Sequence, residues 1–527
     1  MAPQAATPDN TSSDTPGASE KGVGSGEVKL VIVIAVVLSA ILQVLDSTIV
    51  NVALPHMKSA FGITSDQVTW ILTSYIVASV MVMPLTGLLS RMIGRRRLIL
   101  TAIMGFAAFS ALCGFSWSLT SMVFFRLGQG VFGAFLIPLS QSILFDSFPK
   151  EKRGQAMAMF GLGVVVAPVM GPTIGALLTD YYSWRMVFFV NIPIAALAIL
   201  LLAGELPKED PRKVHIDWMG LTAMGLGIGA LQYVLDQGES KDWFASHAIQ
   251  VAAVISVLSL LFFLVRGAIE GDRNVIDLKL FADRNFTIGT LTVAGFAISM
   301  FGGIAILPIF VQGLLGYPVI DAGTLFIPRG LAAGFSMVVT GAVLQPRVDA
   351  RMLAFCGLAL TAWGNFMMGG LTLEASFWQL AMPGVVQGFG MGLVFVPLST
   401  LAFDRIDSER QNEASGIYGV TRQLGSSIGI AVVSSQVSHR LTQQAMLLSE
   451  NITAYSPAVK AYLAPLGLSA SDPTGLAMIN AQISQQAALI AYSQVFDLLG
   501  YLTVLLIPLL LLARRPMNSG NAPPVSE

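Results

Sequence analysis

The sequence predicts an all-α polytopic membrane protein, and three observations predict it. The 527 residues are 54% hydrophobic and only 12% charged, where a soluble domain carries about 25% charged residues. The apolar residues fall into blocks of roughly 20, the length of helix that a bilayer core requires. One stretch of the first half of the chain returns in the second half with the same ends and the same internal Pro-Leu-Ser.

The first apolar block is the most informative. Residues 30–54 read LVIVIAVVLSAILQVLDSTIVNVAL, and Asp46 is their only charge. An ionisable group in such a span costs about 2.5–3.5 kcal/mol on insertion scales. Its presence points to a proton or cation site. The alternative is a buried aspartate satisfied by hydrogen bonds, or one lying at the membrane surface.

Five more blocks lie near 67–89, 97–117, 121–144, 155–178 and 185–204. Two lie near 217–236 and 247–267. The last six lie near 287–313, 322–344, 353–372, 377–401, 412–436 and 495–513. The expected total is about 14 transmembrane helices. Basic residues cluster on alternate loops: Arg91, Arg95, Arg96 and Arg97; Lys150, Lys152 and Arg153; Lys208, Arg212 and Lys213; Arg347 and Arg351; Arg405 and Arg410. The short loops between them hold few, such as Lys58 and Lys241. With Arg514 and Arg515 at the end, the positive-inside rule predicts that both termini are cytoplasmic, which requires an even number of spans.

The repeat sets the organisation. QGVFGAFLIPLSQSILFD runs from Gln129 to Asp146, and QGFGMGLVFVPLSTLAFD from Gln387 to Asp404. Spans four and twelve are therefore equivalent parts of two parallel repeats. The expected order is a disordered cytoplasmic tail at 1–27, an N-terminal six-helix half at 28–205 and two inserted helices at 206–270. A C-terminal six-helix half follows at 271–513, with a long, comparatively polar periplasmic segment at 437–494, and then a tail at 514–527. Residues 1–27 lack the basic start and apolar middle of a signal peptide. Two six-helix halves around a midplane cavity are the architecture of alternating access.

Composition excludes several functions. A net charge of −1 gives no case for nucleic acid. The two cysteines lie in apolar spans and the four histidines are scattered, so neither a disulfide framework nor a metal site is expected. No nucleotide-binding loop is present, and no cofactor is expected. A membrane-embedded enzyme would need catalytic His, Cys or acidic residues clustered at one interface, and the sequence shows no such cluster.

The stretch from Leu45 and Asp46 to Pro55 (LDSTIVNVALP) resembles the span-one motif of the fourteen-span drug:proton antiporters of the major facilitator superfamily, the EmrB/QacA type. Gly87-Leu-Leu-Ser-Arg91-Met-Ile-Gly94-Arg95-Arg96-Arg97 resembles the superfamily's cytoplasmic-loop signature, with Ser90 in place of its usual aspartate. Arg126-Leu-Gly-Gln129-Gly130 is similar to its charged-helix signature, and Ala167-Pro168-Val-Met-Gly171-Pro172-Thr-Ile-Gly175 to the antiporter signature. The resemblance implies a major facilitator fold and proton-driven export of hydrophobic or amphipathic drugs across a bacterial inner membrane. It implies proton coupling at Asp46 and Arg126. It also implies conformational roles for Gly87, Arg91, Gly94, Arg95, Gly130, Pro168, Gly171, Pro172 and Gly175. The last span and its approach resemble the EmrB branch, where the pump works with a periplasmic adaptor of EmrA type and an outer-membrane channel. A docking surface at 437–494 is one expectation, and a tolerated surface insertion the other.

Each motif also has a reading apart from the family. Arg126 must face the protein interior or water, with Asp46 as its nearest counter-charge; otherwise it only braces the helices. A carboxylate's hold on a proton weakens beside an arginine and strengthens in a dry, isolated cavity, so moving between such settings would bind and release a proton. The glycines and prolines of span five form a hinge or simply allow close packing. Arg329 and Arg422 attract anionic substrate groups or snorkel to an edge, and snorkelling is the favoured expectation. Gln43, Trp70, Tyr75, Gln141, Gln312 and Asn365 are cavity candidates. The second half offers no acidic residue deep in a span, so coupling is expected in the first. The rival functions are a dedicated proton-coupled exporter of one metabolite or siderophore, and a passive facilitator.

Overall fold

The computed structural model describes residues 27–149, 152–207, 209, 217–270, 278–407, 410–450, 452–453, 456–469 and 472–514. The tail expectations at 1–26 and 515–527, and Lys150, Lys208, Arg212, Lys213 and Arg515, lie outside them. The first repeat comprises α1 (Glu27–Phe61), α2 (Gln67–Ile93), α3 (Arg95–Gly114), α4 (Leu119–Ser147), α5 (Arg153–Tyr181) and α6 (Met186–Glu205). The inserted pair is α7 (Trp218–Gln237) and α8 (His247–Glu270). The second repeat comprises α9 (Arg284–Leu314), α10 (Asp321–Leu344), α11 (Ala350–Gly369), α12 (Phe377–Phe403), α13 (Gln411–Glu450) and α14 (Pro473–Leu511).

Among the described residues, twelve of these helices are long and apolar enough to cross a membrane. The two outside that set, α5 and α13, pack against α1 and α9 respectively. α13 is polar for a physical reason: Gln411, Asn412, Glu413 and Ser415 in its first turns are buried in protein, so lipid never tests them.

Local signals set several boundaries. Thr64 and Gln67 form a reciprocal capping box at the start of α2, and Ser118 and Ser121 one at the start of α4. Gly94 ends α2 with φ of +84°, a left-handed conformation that glycine adopts without penalty. This turn sets the arginines of α3 against the end of α6, where Arg95 pairs with both Asp146 and Glu209, and Arg96 donates to the Ala203 carbonyl.

The two repeats meet unequally at their two ends. At the Arg-rich end one apolar core crosses between them. Phe145 of α4 lies 4.8 Å from Phe403 of α12, whose ring is 5.4 Å from Tyr418 of α13. At the opposite end each repeat keeps its own cluster: Ile49, Met57, Ile71 and Trp184 in the first, Ile306, Phe310, Tyr492 and Phe496 in the second. The halves are thus sealed together at the Arg-rich end. An ion pair crosses the seal, from Arg91 Nη1 to Glu413 Oε2 at 3.1 Å. Ser90, standing where the resemblance expects an aspartate, donates back to the Gly87 carbonyl at 2.9 Å.

The two lateral seams also differ. At the α2–α13 seam, α7 lies across both repeats: Asp236 accepts from Thr73, and Gln232 donates to Ser427 at 2.8 Å. At the α5–α10 seam an apolar cavity of about 500 Å³ remains, lined by Leu162, Met170, Ile327, Leu331, Phe335 and Val338 among others.

Within the long segment at 437–494, residues 438–449 and 473–494 are helical but are not separate elements. They continue α13 and α14, which reach 40 and 39 residues, about twice the length a bilayer core needs. Arg440 Nη1 donates to Gln494 Oε1 at 2.7 Å and ties the two extensions together.

The seal generates a prediction. A Cβ on Gly87 would lie 2.6 Å from the Glu413 Cβ, so Gly87→Val forces α2 and α13 apart at a cost of about 1–3 kcal/mol. Spin labels at Arg97 and Asp407 should then report a longer distance than in the parent protein. An unchanged distance distribution in a folded variant would show that this contact does not hold the end closed.

Candidate functional site

The polar centre of the first repeat is built from five helices. Asp46 of α1 is fully buried, and so is Arg126 of α4. Arg126 Nη1 donates to Asp46 Oδ2 at 2.6 Å, and Arg126 Nε donates to the Ile71 carbonyl of α2 at 3.0 Å. The other carboxylate oxygen, Oδ1, accepts from Gln129 Nε2 at 2.8 Å and from Asn191 Nδ2 of α6 at 3.0 Å. Asn191 also donates to Ser110 Oγ of α3 at 3.1 Å. The Tyr75 ring lies 4.4 Å from the Arg126 guanidinium carbon, close enough for a cation–π contact. Arg126 Nη2 is sealed from solvent without a hydrogen-bond partner.

Two residues expected to couple protons are therefore in direct contact, and Tyr75, expected in a cavity, forms part of the same cluster. Gln129 stood inside a recognised motif without a role of its own. Asn191 and Ser110 escaped the sequence reading altogether; the only signal was an amide and a hydroxyl within apolar spans, which membrane helices use to bond one another.

The second repeat has a neutral counterpart. Asn365 Nδ2 donates to Ser299 Oγ at 3.0 Å, Gln387 Nε2 donates to Asn365 Oδ1 at 3.0 Å, and Thr503 Oγ1 donates to Ser299 Oγ at 2.7 Å. Asn365, named as a cavity candidate, belongs to this buried network.

Other candidates are distributed differently. Gln43 is buried and accepts from the Ile137 amide at 3.3 Å, while Gln141 is buried on α4. Gln312 is half-buried in the π-turn Phe310–Leu314. Trp70 is exposed, and its ring stacks 5.8 Å from Tyr233 of the inserted α7. Arg329 is 8% exposed and packs against α12. Arg422 is half-buried, one turn from Tyr418.

The signature glycines act at close helix contacts. A Cβ on Gly171 would strike Thr48 Oγ1, and one on Gly175 would lie 2.9 Å from the Ile49 carbonyl oxygen. α5 thus lies directly on α1 beside Asp46, with Pro168 and Pro172 inside the helix. Gly130 stands against the Tyr75 carbonyl.

A bundle of membrane-length helices in two repeats, with a buried charge cluster inside one, defines a multi-pass membrane transporter. Residues 36–430 match the family model for the Major Facilitator Superfamily, and the chain belongs to that superfamily. It is 33% identical over 504 residues to the multidrug export protein EmrB of Escherichia coli K12, covering 94% of this chain and 97% of that protein. It is 35% identical over 490 residues to the fatty acid resistance protein FarB of Neisseria gonorrhoeae, covering 92% and 96%. The crystal structure of the human organic anion transporter MFSD10 shares the fold, with a TM-score of 0.59 at 17% identity, covering 90% of this chain and 99% of that one.

Removing one member of a buried ion pair strands the other, at a cost of about 3–5 kcal/mol. Asp46→Leu and Arg126→Leu should each lower the melting temperature of the purified protein. The double variant should recover much of the loss, a coupling measurable as a double-mutant cycle. Additive losses would mean that the two groups do not stabilise each other.

Proposed function

We propose that the chain is a proton-driven exporter of hydrophobic and amphipathic compounds in a bacterial inner membrane. Both termini are cytoplasmic, so the Arg-rich end faces the cytoplasm, and α5 and α13 complete fourteen spans. The observation that carries this reading is the Asp46–Arg126 pair held inside the first repeat. Its three donors to Asp46 come from α4 and α6. A guanidinium N–H or an amide NH₂ can donate but cannot accept. Oδ1 already accepts two of these donors, so a proton arriving there displaces one of them, and a proton on Oδ2 cancels the charge that holds Arg126 Nη1; the helices that carry the donors are then free to shift. Proton occupancy and helix position are linked by that geometry.

Closure at the Arg-rich end corresponds to an outward-facing state in alternating access. Asp46 then takes its proton from the periplasmic side, the halves rock, and the proton leaves to the cytoplasm as a compound moves outward. The names of the relatives EmrB and FarB favour export of drugs and amphiphiles.

The paired extensions of α13 and α14 suit an adaptor of EmrA type that leads on to an outer-membrane channel. Leu441, Met446, Leu447 and Leu476 are exposed on them, beyond the reach of the bilayer, and a partner helix would cover them.

Two outcomes test this. Asp46→Asn keeps the size of the side chain and cannot titrate, so drug-induced proton movement in proteoliposomes should vanish. Coupling at the parent level would remove Asp46 from the mechanism. Replacing residues 444–486 with a short Gly/Ser linker should leave vesicle transport intact and abolish drug resistance in cells that supply the adaptor. Resistance that survives at equal protein level would make the extensions a tolerated insertion.

A further inference from the structure

The two repeats correspond residue by residue around their polar centres. Gly130 follows Gln129 in α4, and Gly388 follows Gln387 in α12. A Cβ on Gly130 would strike the carbonyl oxygen of Tyr75 and approach Ala78; one on Gly388 would strike the carbonyl oxygen of Arg329 and approach Ala332. Tyr75 and Arg329 are therefore equivalent positions, as are Arg126 and Gly384. The same alignment places Gln129 with Gln387. In space, Ser299 of α9 accepts from Thr503 of α14 as Asp46 of α1 accepts from Asn191 of α6, while Gln387 donates to Asn365 of α11 and not to Ser299.

The chemistry of the two centres differs by one anion. The first repeat holds one cation and one carboxylate. The second holds a cation, moved to the neighbouring helix, and a hydroxyl where the carboxylate would be. Among the described residues, Arg329 has no ion pair and no electrostatic partner. Its nitrogens are not among the sealed polar atoms. Beside it there is room. A Cβ on Gly384 would meet within 4 Å only the Arg329 side chain itself, at 3.5 and 4.0 Å. Where the first repeat places the Arg126 side chain, the second has only the hydrogen of Gly384.

We infer that Arg329, with the space over Gly384, binds the anionic head of an amphiphilic substrate, a carboxylate above all. The substrate supplies the negative charge that Asp46 supplies in the first repeat. A guanidinium presents paired N–H groups that match a carboxylate's two oxygens. Arg329 is 8% exposed and has no counter-ion among the described residues, and an entering anion supplies one. This deepens the proposed function by assigning a substrate class to one centre and the proton to the other.

The test is binding of radiolabelled laurate and of dodecanol to the full-length protein in phosphatidylcholine discs, at alkaline pH where laurate is ionised, with empty discs subtracted. The parent protein should prefer laurate by at least about tenfold, the effect of one charged hydrogen-bonding pair. Arg329→Gln should bring the ratio to about one, and Arg329→Lys should keep much of the preference. A ratio near one in the parent protein overturns the inference whether or not the glutamine variant folds. So does a folded Arg329→Gln protein that keeps the parent ratio. Repeating the measurement with phosphatidylglycerol in the discs separates the sources: if that lipid displaces laurate, the site holds a membrane head group and the substrate assignment fails. Binding is read without a proton gradient, so loss of coupled transport would count against the proposed function and leave this result standing.

Discussion

A charge inside a membrane bundle must be answered by another, and the Asp46–Arg126 pair is the constraint around which the first repeat is arranged. Arg126 spends its donors on the Ile71 carbonyl, Asp46 and Gln129. Asp46 collects the remaining amides of Gln129 and Asn191, and Asn191 is steadied by Ser110, which donates to the Phe188 carbonyl at 2.8 Å. Helices α1, α2, α3, α4 and α6 all meet in this network. Among the described residues, α5 contributes no side chain to it. It meets α1 through glycines instead, a contact made of dispersion and small residues that can slide without breaking a hydrogen bond. The one helix of the repeat outside the polar network is the one bearing the antiporter signature.

Closure between the repeats rests on different physics. The seal is mostly apolar, built on Phe145, Phe403 and Tyr418. Its crossing ion pair is asymmetric: the Arg91 side chain is 34% exposed and that of Glu413 only 3%. A half-solvated pair of this kind gains little net free energy, because desolvation offsets much of the attraction. It fixes alignment more than it adds strength, which suits a contact that must open in every cycle. The arginines of α3 bind Asp146 and Ala203 of their own repeat and Glu209 in the segment that follows it, and so hold the shape of one half.

Much of the fold was legible because lipid forces every spanning backbone to satisfy itself as helix, leaving hydropathy as a direct record. The record blurs where a helix is shielded from lipid, as at the start of α13, whose Asn412 and Glu413 are inside protein. Asp46 and Arg126 were legible as lone charges in apolar spans. Their neutral partners were not, because an amide in a span carries no sign of what it faces. Rotational phase was the other loss. Trp70 and Tyr75 lie five positions apart on one helix, yet one stacks on α7 and the other on Arg126. Where nearly all residues of a span are apolar, periodicity cannot say which face looks inward.

The repeat itself, once seen in three dimensions, says more than the repeat in the sequence. Gln129 and Gln387 keep the same place, as do Gly130 and Gly388. The residues around them do not: Asp46 faces Ser299 across the symmetry, Arg126 faces Gly384, and Tyr75 faces Arg329. Two carboxylate–arginine centres would give two sites competing for the same proton. One complete ion pair, and one cation without a partner among the described residues, fit the proposed division of labour instead. On the function proposed above, the first centre opens when Asp46 is protonated. On the inference drawn for Arg329, the second is completed by an anionic group from outside the chain. Coupling then requires no direct contact between proton and substrate, because each alters the hydrogen bonding of one half and both halves share a single seal at the Arg-rich end.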